Sequence, residues 1–289
     1  MVSIVDMRLR PPIPAWTDKA QYSSGDKAGY YPSRIGFPRP PSAEARSMDL
    51  LLKEMDDAGV QWGVAMGRQS APPHGSIPND AIAELMRQYP DRFVSFCGID
   101  ISKDTDWCLG EIDRCLAIPG FKGVSIEPPC SPTPMKSDDR RLYPIYEHVQ
   151  AKGVPISVTL SNFLGHMSGF GYEYAHPEPL YRPACDFPDL TFVVSHGAWP
   201  WSREVLGIAF LCPNIVVSPD LYVNGKSLPG AEDYIKAANH FMADRTLWGT
   251  AYPSRPLKES VEAFCEWEFA PGIRDKILSE NALRIMKMA

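Results

Sequence analysis

Seven ionisable side chains stand at or just past the ends of short apolar runs: Asp6, Arg8, Arg10, Arg68, Glu127, His196 and Asp220. His196 with Asp220 or Glu127 makes a general acid/base pair, in which the carboxylate orients the imidazole and is expected to hold its pKa near neutrality. Arg8, Arg10 and Arg68 offer planar forks suited to a substrate carboxylate or a developing oxyanion. Trp199, just past His196, is a candidate further contact to substrate. In Asp6-Met7-Arg8-Leu9-Arg10 a period of two places the acid and both arginines on one face, provided the segment stays extended. A carboxylate or arginine at such a position also serves as a loop cap or a structural ion pair. Gathering acids, a histidine and arginines around one opening is nevertheless costly unless they pair with each other or with a ligand. The expected ligand is a small anion.

The elements that would position these groups alternate along the chain. Apolar, β-rich runs at 3–7, 61–67, 93–100, 121–127, 155–160, 191–196, 214–220 and 246–252 predict eight strands. Amphipathic stretches at 43–58, 78–88, 105–116, 142–152, 178–186, 201–211, 231–242 and 257–267 predict the helices between and after them. That alternation is the signature of parallel βα units, and eight of them predict an α/β fold, a single (β/α)8 TIM barrel over residues 1–289. The strands read as apolar nearly throughout, as expected where helices cover the outer face. A last helix at 272–288 is expected on the outer ring. Residues 10–41, rich in Pro, Gly, Tyr and Arg without a period, read as a long loop after the first strand. In such a barrel catalytic groups come from the C-terminal ends of the strands, where the ionisable set lies.

Composition narrows the class. With 289 residues, 44% hydrophobic and 22% charged, the chain is that of an ordinary globular protein. A formal net charge of −6 and scattered basic residues give no footprint for nucleic acid. No apolar run reaches the roughly 20 residues of a membrane span, and the first residues lack a secretory signal, so a cytoplasmic location is expected. The seven cysteines include no CxxC pair and read as reduced thiols, with Cys130 the one considered for chemistry. Among the other histidines, His74, His148, His176 and His240 read as structural or surface residues, whereas His166 lies in the loop after the fifth strand, at the mouth. Trp199 and Trp201 suit either the mouth or an interface, which leaves homo-oligomerisation open.

Several passages, in order along the chain, resemble the amidohydrolase-2 family of metal-dependent hydrolases and decarboxylases. They are Ile4-Val5-Asp6, Asn79-Asp80 through Tyr89-Pro90-Asp91-Arg92-Phe93, Phe187-Pro188-Asp189-Leu190 leading into Ser195-His196-Gly197, Gly249-Thr250-Ala251-Tyr252-Pro253, and Asn281-Ala282. The resemblance, which takes in the aminocarboxymuconate-semialdehyde decarboxylase and pyrone-dicarboxylate lactonase types, implies a TIM barrel and an enzyme. It also implies an Asp-x-His-x-His metal motif, and there the chain departs. Both histidines are replaced, by Arg8 and Arg10; the fifth-strand histidine is replaced near Thr159; and the eighth-strand aspartate is replaced by Ala251. Arginine cannot coordinate a cation. Three readings follow. The first is metal-free hydrolysis of a carboxylate-bearing lactone or ester by His196 with Asp220 or Glu127. The second is a relocated Zn or Mn site built from Asp6, Glu127, His196 and Asp220, serving hydrolysis or decarboxylation. The third is a non-catalytic relative that binds a small anion.

Overall fold

The computed structural model describes residues 3–22 and 37–288. Part of the expected long loop, 23–36, lies outside the described residues; within the rest of it, Pro14–Thr17 forms a short helix.

Among the described residues, seven parallel strands lie in sequence order in one sheet: β1 (Ile4–Asp6), β2 (Val60–Val64), β3 (Phe93–Gly98), β4 (Phe121–Ile126), β5 (Ile156–Thr159), β6 (Phe192–Ser195) and β7 (Ile215–Ser218). The expected eighth strand at 246–252 is not one. It contributes isolated parallel bridges instead, Val217↔Thr246 against β7 and Leu9↔Tyr252 just past β1. Main-chain bonds from Leu247 N to Val217 O and from Met7 N to Trp248 O accompany them, so this segment touches both edges of the sheet. Gly249 sits in the middle of it: a Cβ there would lie 3.0 Å from Asp220 Oδ1 and 3.2 Å from Asp6 Oδ1, so only glycine lets both carboxylates close in.

The helices fall close to their expected places, Thr105–Leu116 among them. The expected helix at 43–58 is two, Pro41–Ala45 and Met48–Ala58, because Arg46 adopts φ 50° and Ser47 caps the second by accepting from Leu50 N.

The strands carry apolar residues on both faces over most of their length, as expected, and turn polar on the inner face only toward their C-terminal ends. Ile4, Val124, Ile126, Ile156, Val158, Phe192, Val194, Ile215 and Val217 belong to the large core shared with the helices. Val5, Val64, Val94, Val193, Val216 and Leu247 form a separate apolar cluster on the other face. Further along that face the residues are Ser125, Ser157, Ser195 and Ser218, all buried, with Ser157 Oγ 2.8 Å from Ser195 Oγ. Toward the strands' C-terminal ends the face becomes ionic.

The segment after Gly272 is also placed differently from expectation. It runs as Ile273–Asp275, a wider turn at Lys276–Glu280 and the helix Asn281–Ile285. Ala282, Ile285 and Met286 pack into the Val5–Val216 cluster rather than onto the outer ring. Asn281 fixes it there by donating from Nδ2 to the carbonyls of Ala243 and Thr246.

Candidate active site

The ionisable groups do come together at the C-terminal end of the sheet, as a triad of two arginines on Glu127, a His196–Asp220 pair, the solitary cation Arg10, and Asp6 bonded to Thr250. Strand β1 ends at Asp6 and the chain bends, because Asp6 Oδ1 accepts the Arg8 main-chain N–H at 2.9 Å. The extended face expected for Asp6, Arg8 and Arg10 therefore does not form, and the three side chains go to separate partners. Asp6 takes Thr250 N at 3.0 Å and Thr250 Oγ1 at 2.5 Å, tying β1 to the 246–252 segment. Burial raises its pKa to about 6, against the lowering effect of those bonds.

Arg8 Nη2 donates to Glu127 Oε1 at 2.8 Å, and Arg68 Nε donates to Glu127 Oε2 at 3.0 Å. Ser70 Oγ adds a further bond to the same carboxylate. Burial alone would raise Glu127, but Arg68 and Arg8 outweigh it and bring its pKa to about 2. Glu127 is thus a permanent anion that neutralises part of a double cation, and it is not the partner of His196. Arg8 Nε, Arg8 Nη1 and Arg68 Nη1 are buried without hydrogen-bond partners among the described residues.

His196 pairs with Asp220: Nδ1 lies 3.1 Å from Oδ2, which also accepts the His196 main-chain N–H at 3.0 Å. The Nδ1 contact lacks hydrogen-bond geometry, so it is a close ion–dipole pairing rather than a linear hydrogen bond. Ser218 Oγ holds the other oxygen at 2.6 Å. The expectation of a near-neutral imidazole pKa is corrected here: burial and then the nearby Arg8 push it down to about 4, with Asp220 opposing incompletely. Asp220, which burial would raise, is held below its usual value chiefly by His196 and Arg8. At neutral pH the pair is a neutral imidazole beside a carboxylate. Backbone geometry marks the same spots. His196, Asp220 and Ala251 have φ of 63°, 54° and 56°, in the left-handed region that non-glycine residues seldom occupy.

Arg10 is the solitary cation. It is 4% exposed, and its Nη1 donates to the carbonyls of Ala251, at 2.9 Å, and Tyr252. No carboxylate pairs with it among the described residues; burial, Arg68 and Arg8 all weaken its hold on its proton. The buried Trp16 ring lies under both Arg10 and Arg68, 6.0 and 5.5 Å from their guanidinium carbons.

A cavity of about 320 Å³ opens beside this cluster. Arg10, Lys19, Arg39, His74 and His196 give it its polar edge, and Phe163, Leu164, Met167 and Leu221 much of its apolar wall. Trp199 does not line it: its ring stacks on Tyr222 at 4.9 Å, and Tyr222 in turn meets the His196 ring edge-on. His166 is exposed, on the helix Asn162–Met167 whose Phe163, Leu164 and Met167 line the cavity. Cys130 is buried 3.8 Å from Glu127 Oε2, and burial followed by that carboxylate lifts its pKa to about 12, which keeps it a thiol. Sequence reasoning did not single out Trp16, Ser70 or Thr250; Trp16 lies in a four-residue helix too short to show a period, and Ser70 and Thr250 lie in irregular segments.

The donor set does not suit a metal. Asp6 is occupied by Thr250 and Arg8, Glu127 by two guanidiniums, and Arg10 fills the space beside the Ala251 carbonyl. Among the described residues no three His, Cys, Asp or Glu side chains form a group able to hold a metal ion, so Asp6, Glu127, His196 and Asp220 do not make the relocated site.

Residues 14–287 match the amidohydrolase family. The chain is similar to an uncharacterized TIM-barrel protein from Bordetella bronchiseptica, with 39% sequence identity over 99% of this chain and 98% of that one and a TM-score of 0.91. It is similar in fold to 2,6-dihydroxybenzoate decarboxylase from Rhizobium, at 22% identity, 100% and 99% coverage and a TM-score of 0.70. It is likewise similar in fold to 4-oxalomesaconate hydratase from Rhodopseudomonas palustris, at 18% identity, 99% and 96% coverage and a TM-score of 0.67. None of the curated proteins matches the chain.

Proposed function

The chain belongs to the amidohydrolase family, and from that premise we propose that it is a hydrolase opening a small lactone or ester that bears a carboxylate, by metal-free acid/base chemistry. In this reading residues 246–252 close the sheet into a (β/α)8 barrel, one domain with its site at the strands' C-terminal ends. The observation that carries the proposal is Arg10: a buried guanidinium without a carboxylate partner among the described residues, at the wall of a cavity shared with His196. A buried cation of this kind is stable in the presence of an anionic ligand, and a carboxylate is the anion whose geometry its fork matches.

The chain's own residues then divide the work. Arg10 holds the substrate carboxylate, and the open N–H groups of Arg8 add to the positive field around it. Neutral His196 takes a proton from water as that water attacks the ester carbon. The imidazolium so formed is stabilised by Asp220, 3.1 Å away, and returns the proton to the alkoxide oxygen as the ester C–O bond breaks, which gives the carboxylic acid and the alcohol and regenerates the neutral imidazole. The apolar wall of Phe163, Leu164, Met167 and Leu221 packs the body of the substrate.

Decarboxylation is the second reading, supported by the names of the structural neighbours. A tight guanidinium–carboxylate pair stabilises the group that would have to leave, and this favours hydrolysis. The test is acid release at constant pH from carboxylate-bearing lactones and aryl esters, with chelator-treated protein and His196→Asn as control. Release by the parent alone supports the proposal. Release of CO2 from an aromatic carboxylate, without acid production from any ester, overturns it in favour of the lyase; saturable binding without either product overturns it in favour of a binding protein.

A further inference from the structure

We propose that His74 is a second catalytic imidazole, a neutral hydrogen-bond donor that presents Nε2–H to the substrate carbonyl oxygen. The proposal rests on the hydrolytic reading of the same cavity. His74 lies in the segment between β2 and β3, 2% exposed, and lines the cavity together with His196. Its two ring nitrogens meet different chemistry. Nδ1 lies 3.2 Å from Gln21 Nε2, an amide nitrogen that has only hydrogens to offer, so Nδ1 accepts. Nε2 is buried without a hydrogen-bond partner among the described residues, in a side chain that lines the cavity. The Gln21 contact selects the Nε2–H tautomer.

His196 is built the other way round. Its Nδ1 is against the Asp220 carboxylate, which leaves the lone pair on Nε2. One cavity therefore holds two imidazoles in opposite tautomers, one to take a proton and one to polarise a carbonyl. Burial and then Arg68 depress the His74 pKa to about 3, which keeps the ring uncharged at working pH. No proton leaves His74 in the reaction. As water adds, the carbonyl oxygen gains charge and the Nε2–H bond to it shortens and strengthens; the bond relaxes when the ester C–O bond breaks and the carbonyl reforms. Gln21 is then a positioning residue that fixes the tautomer.

The deciding measurement is long-range 1H–15N correlation on protein labelled with 15N-histidine, at pH 7, using His74→Phe and His196→Asn for assignment. The expected result is Nε2–H for His74 and Nδ1–H for His196. A His74 ring protonated at Nδ1, or at both nitrogens, overturns the proposal whatever the enzyme's activity. Benzoate is then added as a carboxylate probe. A shift of the His74 Nε2–H resonance supports contact with ligand. Movement of the His196 signals alone overturns that contact but leaves the hydrolytic reading standing, and a response of neither histidine counts against the anion-binding reading as well. With any ester that the parent turns over, His74→Phe is expected to lower kcat by roughly 10²–10³ with KM little changed, and His74→Gln to recover part of the loss. An unchanged kcat in His74→Phe overturns the role.

Discussion

The two ends of the sheet's inner face are built from the same strands and filled with opposite chemistry. At the floor, Val5, Val64, Val94, Val193, Val216 and Leu247 meet Ala282, Ile285 and Met286 with no charge among them. At the mouth, three arginines, three acids and His196 lie buried together, and three residues there occupy the left-handed backbone region. The floor is held by close packing and tolerates small volume-conserving changes. The mouth is held by pairing, so a change there leaves a partner charged and alone. A change at the floor is expected to be read in stability alone, and one at the mouth in stability and activity together.

Predictions that break or sharpen this contrast run from large to small. Glu127→Ala strands Arg8 and Arg68 in the interior, and an expected loss of about 3–5 kcal/mol in urea denaturation makes it the most damaging single change at the mouth. His196→Asn is expected to cut kcat by roughly 10²–10⁴ with a thermal midpoint within a few degrees of the parent, since asparagine accepts a positive φ. Ile285→Ala is expected to cost roughly 2–5 kcal/mol of stability while kcat stays at the parent value. If its kcat falls instead, the two ends are coupled and the contrast fails.

Acidity adds a test that reads the mouth through stability. His74 and His196 have folded pKa values of about 3 and about 4, below the ordinary 6.5, so the unfolded chain binds protons that the folded one refuses. Their contribution is complete above pH 6.5 and is lost as pH falls through those folded values. Asp6, raised to about 6, works the other way: the folded form binds the extra proton between pH 4 and 6, and that advantage is lost as pH rises. The two histidines outweigh the one acid, so stability is expected to fall from pH 6.5 to 4, and His74→Phe should flatten the fall. kcat/KM should rise through about pH 4 and then stay level, not turn over near 6.5. The smallest effect is Ala251→Gly, where relief of φ 56° is expected to change stability by no more than about 1 kcal/mol.

The repeating units were legible because apolar runs and amphipathic stretches carry their own periods: seven of the eight expected strands and the helices between them stand close to where those periods place them. Residues 246–252 were not, since Gly249 and the positive φ at Ala251 interrupt regular pairing in an otherwise apolar run. The ionic cluster was legible as a list of residues and not as a set of pairs. Nothing local in the sequence says that Glu127 takes two arginines or that Asp6 takes Thr250, because those contacts span 119, 59 and 244 positions. That His74 is buried at the cavity wall was not legible either, because its loop has no period and the cavity is assembled from segments distant in sequence.

The helix Asn281–Ile285 has a consequence for how the chain is made. Its apolar residues cover the inner ends of strands synthesised more than two hundred residues earlier, Val5 among them. A nascent chain still lacking residues 282–286 leaves that valine cluster uncovered, so synthesis of this helix, not completion of any one βα unit, is the step that hides the cluster from chaperones and proteases that read exposed apolar surface.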